Sequence, residues 1–280
     1  MIRIITDSTS DISTERAAQL KIDIVRLTIN FADRSYVDGI ELSNGDFYKK
    51  LAAVEELPTT SQASPSAFEA LFRTYIEAGD EIICILLSSK LSGTFQSAMI
   101  AKQIFDSKKI HLIDSQSVSF GLSLLVEIAV RLREAGSTAE SITDSILSLI
   151  PRQRLVAVVS ALKYLKMGGR LSATSAMIGN IMGIRPIISI QEGRVVAIGK
   201  VKGLKSAFDF MMRYAQKEGI CLQYPVAFGN ADSPELMQKC IEWFQPLIGS
   251  KDMLLGEIGS VVGTHAGPGA AGVAYIANKA

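Results

Sequence analysis

Short apolar runs and longer segments of helical periodicity alternate along the first half of the chain. The apolar runs have the length of buried strands and end in polar residues, at 2–5, 22–31, 82–87 and 110–113. Between the runs, apolar residues recur on one helical face, as Phe68, Phe72 and Tyr75 do after the N-cap signal Ser64. Buried strands that alternate with helices predict a parallel sheet with helices on both faces.

The second half of the chain has a different order of elements. Strands are expected at 155–159, 224–228 and 253–262, a hairpin at 187–190 and 195–201, and helices near 204–217 and 233–244. This order predicts a second α/β domain with a mixed sheet and helices on one face. Pro151 and a shift in composition favour a boundary that separates an N-terminal α/β domain, residues 1–154, from a C-terminal α/β domain, residues 155–280.

Composition limits the class of protein. The chain has 280 residues, of which 48% are hydrophobic and 20% charged, so it can bury a large core. Its net charge of +1, with no long basic run, argues against a nucleic-acid partner. The first residues do not resemble a signal peptide, and no stretch reaches the roughly 18 consecutive apolar residues of a membrane span. The three cysteines are scattered along the chain, as is typical of reduced thiols. We therefore expect a cytoplasmic protein without a transmembrane segment.

Several motif matches fail on their context. The segment GPGAAG, at 267–272, matches a dinucleotide-binding pattern, but only eight residues follow it and none is acidic. The segment SALK, at 160–163, lacks the downstream motif of a serine acylase. Two histidines and three cysteines form no metal-binding spacing. The sequence therefore predicts no metal, no cofactor and no catalytic residue.

Four hydroxyl-rich segments stand where strands are predicted to end, at 6–11, 58–64, 88–94 and 114–121. In a doubly wound sheet, the segments that follow the strands can meet in one crevice, at which helix N-termini favour an anion. Each segment alone is more often a set of helix caps than a site. Their recurrence, with almost no catalytic base, favours a site that holds a carboxylate rather than one that breaks a bond.

Two further residues are candidates for anion contacts. His265 lies between Gly263 and Gly267 after an apolar run, so it could donate to an oxyanion or cap a backbone carbonyl in a turn. Arg170 follows two glycines and could reach an anion or a helix C-terminus. His111 lies within a predicted strand and reads as structural. The residue pattern leaves these alternatives open.

Six segments, in this order, resemble the DegV family. They are TDSTSDI, PTTSQ, SSKLSGTFQSA, YLKMGGRLS, GIRPII and GTHAGPGAAG, and together they span nearly the whole chain. The resemblance implies a bacterial two-domain protein that binds a long-chain fatty acid. It also implies a lipid-binding carrier subunit, without catalysis of its own, that presents the acid to a separate ATP-using fatty acid kinase catalytic subunit. That subunit makes acyl phosphate for phospholipid metabolism, and transient contact with a membrane surface is compatible with this role.

The resemblance also implies site residues. The family's carboxylate-binding positions fall on Thr60, Ser92 and His265. Secondary or partner contacts fall on Ser61, Gly93, Thr94 and Arg170. The acyl tail is expected between the domains, lined by aliphatic side chains such as those of residues 176–182.

The rival hypothesis is an enzyme. A serine hydrolase or acyltransferase would use Ser92 as nucleophile and His265 as base, at about 2.6–3.2 Å, with Asp7 or Asp114 orienting the imidazole. A third hypothesis is a regulatory or purely structural binding module, although the sequence contains no DNA-reading motif.

Overall fold

The computed structural model describes residues 1–105, 108–172, 183–250 and 252–278. The strands are β1 (Ile2–Asp7), β2 (Ile22–Val25), β3 (Thr28–Asn30), β4 (Ser35–Val37), β5 (Thr59–Ser61), β6 (Glu81–Leu86), β7 (Ile110–Asp114), β8 (Gln153–Val158), β9 (Ile184–Gln191), β10 (Arg194–Lys202), β11 (Val226–Ala231), β12 (Met253–Glu257) and β13 (Ala270–Ile276). The helices are α1 (Thr14–Leu20), α2 (Asn44–Ala53), α3 (Pro65–Glu77), α4 (Thr94–Gln103), α5 (Phe120–Glu134), α6 (Ala139–Leu149), α7 (Lys163–Met167), α8 (Leu204–Glu218), α9 (Pro234–Ile248) and α10 (Ser260–Ala266). The tail-lining segment 176–182 expected from the resemblance lies outside the described residues.

A parallel sheet forms the centre of the first half, as predicted. Its strand order is β2-β1-β6-β7, and every neighbouring pair is parallel. The β6 residues from Ile82 to Leu86 are completely buried, because helices α3 and α4 and helices α5 and α6 pack on the sheet in two pairs. A continuous apolar run is what a strand covered on both faces requires.

The run 22–31 is two strands rather than the single strand that the apolar pattern predicted. β2 joins the parallel sheet, while β3 turns away and joins a small antiparallel sheet of order β4-β3-β5. At the break, the Leu27 N–H donates to Ser8 Oγ at 3.1 Å instead of to a neighbouring strand. In the small sheet, Ile29 of β3 is paired with Thr60 of β5. This change of sheet therefore positions one of the predicted ligand-binding residues.

The second half forms a mixed sheet of order β10-β9-β8-β13-β11-β12. Helices α8 and α9 pack on one face, whereas α5 from the first half packs on the other. Side chains alternate accordingly along β8: Leu155 and Ala157 join the core shared with the first half, and Val156 and Val158 join the core under α8 and α9. The predicted fold class is confirmed, and the division at residue 154 stays a prediction.

The run 253–262 was predicted as one strand, and this was wrong at its end. β12 stops at Glu257, and the following residues form the short helix α10, which carries His265. The helix is apolar because it is covered on several sides: it packs against α2 and α7, and Gly263 leaves room for the rings of Phe47 and Tyr48. Burial of a helix and burial of a strand produce the same short apolar pattern.

Among the described residues, no helix has both the length and the apolar character needed to cross a bilayer.

The contact of Phe120 with Gly229 joins the two halves and predicts a stability difference. A Cβ on Gly229 would lie 2.1 Å from Phe120 Cδ1, whereas a Cβ on Gly256, the residue paired with Gly229 on β12, would meet no atom within 4 Å. We expect Gly229→Ala to lower the free energy of unfolding by about 1–3 kcal/mol through overpacking. Gly256→Ala is the matched control and should have little effect. Urea denaturation followed by circular dichroism measures both, and equal losses would contradict the role given to this contact.

Candidate functional site

The site is built around a hydrogen bond between two distant parts of the chain. Thr60 Oγ1 lies 3.0 Å from His265 Nε2, across 205 residues of sequence. Thr60 is held by the pairing of β5 with β3, and His265 by the packing of α10. The bond therefore forms only when the small sheet and the last helix are both in place.

The His265 imidazole is neutral at pH 7. Burial, followed by the positive charge of Arg170, lowers the pKa of His265 from 6.5 to about 4. Its Nδ1 atom is buried and has no hydrogen-bond partner among the described residues. An unpaired buried N–H is rarer than an unpaired acceptor, so we assign the proton to Nε2, which donates to Thr60 Oγ1. The Thr60 hydroxyl hydrogen is then free to point at another acceptor.

Two glycines explain why His265 can take this position. A Cβ on Gly168 would lie 2.2 Å from His265 Nδ1, so the imidazole needs a residue without a side chain there. A Cβ on Gly267 would lie 2.2 Å from the ring of Tyr164, and Gly267 also has a positive φ of 71°. The segments YLKMGGR and GTHAGPG therefore interlock through their glycines.

Ser92 lies at the entrance to α4. Its Oγ accepts a hydrogen bond from the Thr94 N–H at 3.2 Å and lies 3.0 Å from Thr94 Oγ1. Gly93 leaves room for Gln62, since a Cβ on Gly93 would lie 2.0 Å from Gln62 Oε1. The Ala63 N–H donates to Thr94 Oγ1 at 3.3 Å. The segments PTTSQAS and SSKLSGT therefore also contact each other, and they join the residues that follow β5, the strand of Thr60, to the loop that carries Ser92.

Arg170 is half-buried and held by backbone oxygens rather than by a carboxylate. Its Nε donates to Leu91 O at 3.2 Å and one terminal nitrogen donates to Gly168 O at 2.6 Å. These bonds place the guanidinium between the Ser92 loop and the glycine pair, where its charge acts on His265. Among the described residues no carboxylate pairs with this positive charge, which makes the region favourable for an anion.

A largely apolar cavity opens beside these polar groups. Its volume is about 190 Å³, and Thr60, Ser92, Gly93, Arg170 and His265 all line it. The apolar part comes largely from the second half of the chain and includes Leu155, Ala157, Ile188, Ile190 and Val195. A few polar groups beside an aliphatic wall are typical of a site for a ligand with one polar end.

Comparison with known proteins identifies the family. A sequence model of the DegV family, described as a family of uncharacterised proteins, matches residues 1–278. A DegV domain-containing protein of Caldanaerobacter subterraneus is 37% identical over 275 residues, which is 98% of each chain.

The chain belongs to the DegV family. Solved structures of family members have the same fold. A fatty-acid-binding DegV family protein from Thermus thermophilus is 29% identical, with a TM-score of 0.89 over 98% of this chain and 99% of that one. DegV of Bacillus subtilis, described as a fatty acid binding protein, is 30% identical, with a TM-score of 0.85 over 99% of each chain.

Not all the DegV positions predicted from the sequence lie at the cavity. Ser61 is exposed, and its hydroxyl accepts a hydrogen bond from Asn30 at 2.9 Å on the other side of β5. Thr94 is buried behind Ser92. Gln62 lines the cavity and was not among the predicted contacts, although it belongs to the quoted PTTSQ segment.

The other two hydroxyl segments have mainly structural roles. Asp7 accepts hydrogen bonds from the N–H and hydroxyl of Thr9 and from the Leu87 N–H. Asp114 accepts from the N–H groups of Ser89 and Gln116. Thr9 and Ser119 do line the cavity, where the Ser119 N–H donates to Thr9 O at 2.7 Å, but the hydrogen bonds to His265 and to Arg170 Nε come from segments 58–64 and 88–94. The expected convergence of four segments is therefore mostly a convergence of two.

The geometry does not assemble the hydrolase alternative. Within the described residues, Ser92 Oγ contacts Thr94 and not His265, whose Nε2 is engaged by Thr60. Neither Asp7 nor Asp114 orients the imidazole, because His265 Nδ1 has no hydrogen-bond partner among the described residues. Over the same residues, no group of His, Cys, Asp and Glu is arranged to hold a metal ion.

The environment of His265 predicts its titration. We expect the His265 ring resonances to shift with a midpoint near pH 4, and Arg170→Gln to raise the midpoint by removing the neighbouring charge. Proton NMR over pH 3–8 measures this, and His265→Asn assigns the signal. A midpoint near 6.5 in the unmodified protein would contradict the burial argument.

The same pKa difference makes stability depend on pH. The unfolded chain binds a proton at His265 below about pH 6.5, whereas the native protein does so only near 4. The contribution of neutral His265 to stability is therefore complete above pH 6.5 and is lost as the pH falls towards 4. Urea denaturation at several pH values should show a shallower decline for His265→Asn than for the unmodified protein over that interval.

Proposed function

We propose that the protein binds a long-chain fatty acid, with its carboxylate on the Thr60 and Ser92 hydroxyls beside His265. The observation that carries the proposal is the hydrogen-bonded pair of Thr60 and His265 at the edge of an aliphatic cavity. The site offers hydroxyl donors and a nearby guanidinium, which match a carboxylate. Its aliphatic wall matches a hydrocarbon chain.

Both hydroxyls can direct a hydrogen to the ligand. His265 Nε2–H donates to Thr60 Oγ1, and Thr94 Oγ1, which accepts from the Ala63 N–H, can donate to Ser92 Oγ. His265 and Thr94 thus donate to the hydroxyl oxygens of Thr60 and Ser92. The hydroxyl hydrogens of Thr60 and Ser92 are then free to donate to the carboxylate, and hydrogen bonds to a charged group contribute about 1.5–3 kcal/mol each.

Burial of the tail supplies most of the affinity. Each buried methylene contributes roughly 0.8 kcal/mol, so about fifteen contribute on the order of 10 kcal/mol before ordering costs. The cavity of about 190 Å³ is smaller than typical ligand sites of roughly 300–1,000 Å³, so we expect a long chain to widen it on binding. The β9–β10 hairpin is one wall, and it is tied to the first half by the 2.7 Å hydrogen bond from Ser88 Oγ to Gly193 O.

The relatives support a fatty acid as the ligand. The Thermus thermophilus and Bacillus subtilis structures, at 29% and 30% identity, are both described as fatty-acid-binding proteins. We further propose that the chain is a cytoplasmic carrier without catalysis of its own. It presents the acid to a separate ATP-using kinase subunit for acyl phosphate formation in bacterial phospholipid metabolism. This part rests on the family resemblance and on the absence of a Ser92–His265 bond within the described residues.

Fatty acid binding is tested with the two hydroxyl positions. Thr60→Ala with Ser92→Ala should weaken palmitate binding by roughly a hundredfold or more, because two hydrogen bonds to the carboxylate are lost. The matched control is Thr59→Ala with Ser89→Ala, since these neighbours are exposed. Fluorescent fatty acid displacement measures affinity, and native mass spectrometry shows any co-purified acyl chain. Equal affinity of both double variants would reject the carboxylate assignment, and protein that takes up no fatty acid would reject the proposal.

Presentation to a kinase is tested separately. With an ATP-dependent fatty acid kinase subunit and palmitate, we expect this protein to support acyl phosphate formation. The Thr60→Ala Ser92→Ala variant should lose most of the rate, and the Thr59→Ala Ser89→Ala control should keep it. Palmitate binding without any acyl phosphate formation would overturn the carrier role and leave the binding site standing.

A further inference from the structure

A second cavity lies on the other side of the residues that enclose the acyl cavity. It is a cleft of about 720 Å³, and Ser119, Phe120 and Ile258 line both cavities. We call it the polar cleft. Its walls come from both halves of the chain, namely the β1–α1 connection, the β4–α2 connection, the start of α5 and the β12–α10 connection. Thr60, Ser92 and His265, the residues of the proposed carboxylate site, do not line it.

Side-chain oxygens gather at the floor of the polar cleft. Measured from the position that a Cβ would take on Gly259, the Oδ1 atoms of Asp11, Asn44 and Asp38 lie at 3.0, 3.7 and 3.8 Å. Asp11 Oδ1 accepts from the Gly259 N–H at 2.9 Å, and Asp11 Oδ2 accepts from Ser119 Oγ at 2.5 Å. Three acceptor atoms therefore surround one small region.

The orientation of the Asn44 amide is set by its other neighbour. Its Nδ2 donates to Glu257 at 3.3 Å, which leaves Oδ1 turned towards the two aspartates. All three groups thus present acceptors to the region above Gly259. Burial raises the pKa of both Asp11 and Asp38, and the nearby positive charge of Arg26 offsets this only in part for Asp38.

An unsatisfied hydroxyl provides independent support for a ligand. Ser10 lines the polar cleft, its side chain is fully buried, and its Oγ has no hydrogen-bond partner among the described residues. A buried polar atom without a partner is uncommon, and an absent ligand is one cause. Ser10 therefore contributes an unpaired hydroxyl to the wall of the polar cleft.

The described residues of the cleft carry a net negative charge. Six acidic side chains among them stand against three arginines, which gives a formal charge of −3; they are Asp11, Glu15, Asp38, Glu127, Asp252 and Glu257, with Arg16, Arg26 and Arg131. Arg16 pairs with Glu127 and Arg131 with Asp252, so their charges are balanced locally. Arg26 donates to the backbone oxygen of Asp38 and to Thr14. The excess acids favour a cation.

The rim of the cleft is apolar. Ile40 and Leu255 both line it, and 67% and 58% of their surfaces are exposed. A ligand with a hydrocarbon portion would cover them. A bare metal ion would not, and the described residues hold no set of His, Cys, Asp and Glu suited to a metal.

We propose that the polar cleft binds a small organic amine, with its ammonium group on Asp11, Asp38 and Asn44 and its apolar portion against Ile40 and Leu255. The ammonium donors match the gathered oxygens, and Ser10 supplies a further partner. The site is separate from the acyl cavity and does not depend on the proposed fatty acid binding.

The test is calorimetric titration with pentylamine at pH 7.5, on protein with and without palmitate. Pentan-1-ol is the uncharged probe and calcium chloride the metal probe. We expect saturable pentylamine binding in both preparations and none for the alcohol or calcium. Asp38→Asn should weaken pentylamine binding by about tenfold, because a charged partner is lost. Asp144→Asn removes an exposed acid on α6 and should leave it unchanged.

A second readout locates the amine and covers the case in which Asp38→Asn does not fold. Pentylamine should shift the NMR signals of the Gly259 N–H and the Asn44 side-chain amide, and Ser10→Ala should weaken the binding severalfold. Equal binding of alcohol and amine, calcium binding in place of amine, or pentylamine affinity unchanged by Ser10→Ala would each overturn the proposal. Loss of amine binding while palmitate still binds would leave the fatty acid site unaffected.

Discussion

The site depends on one hydrogen bond between two parts of the chain that are distant in sequence. Thr60 belongs to a three-residue strand, and His265 to a seven-residue helix near the other end of the chain. Neither element would be stable alone, since short strands and helices rely on tertiary packing. The imidazole is also neutral because it is buried, so the same packing that positions His265 determines what it can donate.

Glycines make this packing possible. Gly168 accommodates the imidazole, Gly267 accommodates Tyr164, and Gly93 accommodates Gln62. In each case the missing side chain lets one quoted segment of the sequence contact another. The apolar cavity follows from the same closure, because one of its walls is the β9–β10 hairpin of the second half, which contacts the Ser88 loop of the first.

The sequence predicted the regular strands and helices better than the points at which the chain leaves one sheet for another element. The buried run at β6 and the hairpin around Gly193 follow directly from strand periodicity and turn residues. The runs 22–31 and 253–262 were misjudged because a strand that changes sheets and a buried helix both appear as continuous apolar segments. Among site residues, Gln62 was missed because its place at the cavity depends on a contact with Gly93. That contact joins residues distant in sequence, so the spacing of residues along the chain does not predict it.

A crystal structure of the protein with 16-bromohexadecanoic acid tests the central claim most directly. The account predicts carboxylate oxygens within hydrogen-bonding distance, about 2.5–3.2 Å, of Thr60 Oγ1 and Ser92 Oγ. It also predicts the bromine signal among the aliphatic side chains of β8, β9 and β10. A carboxylate bound elsewhere, with Thr60 and His265 still joined and no ligand beside them, would contradict it.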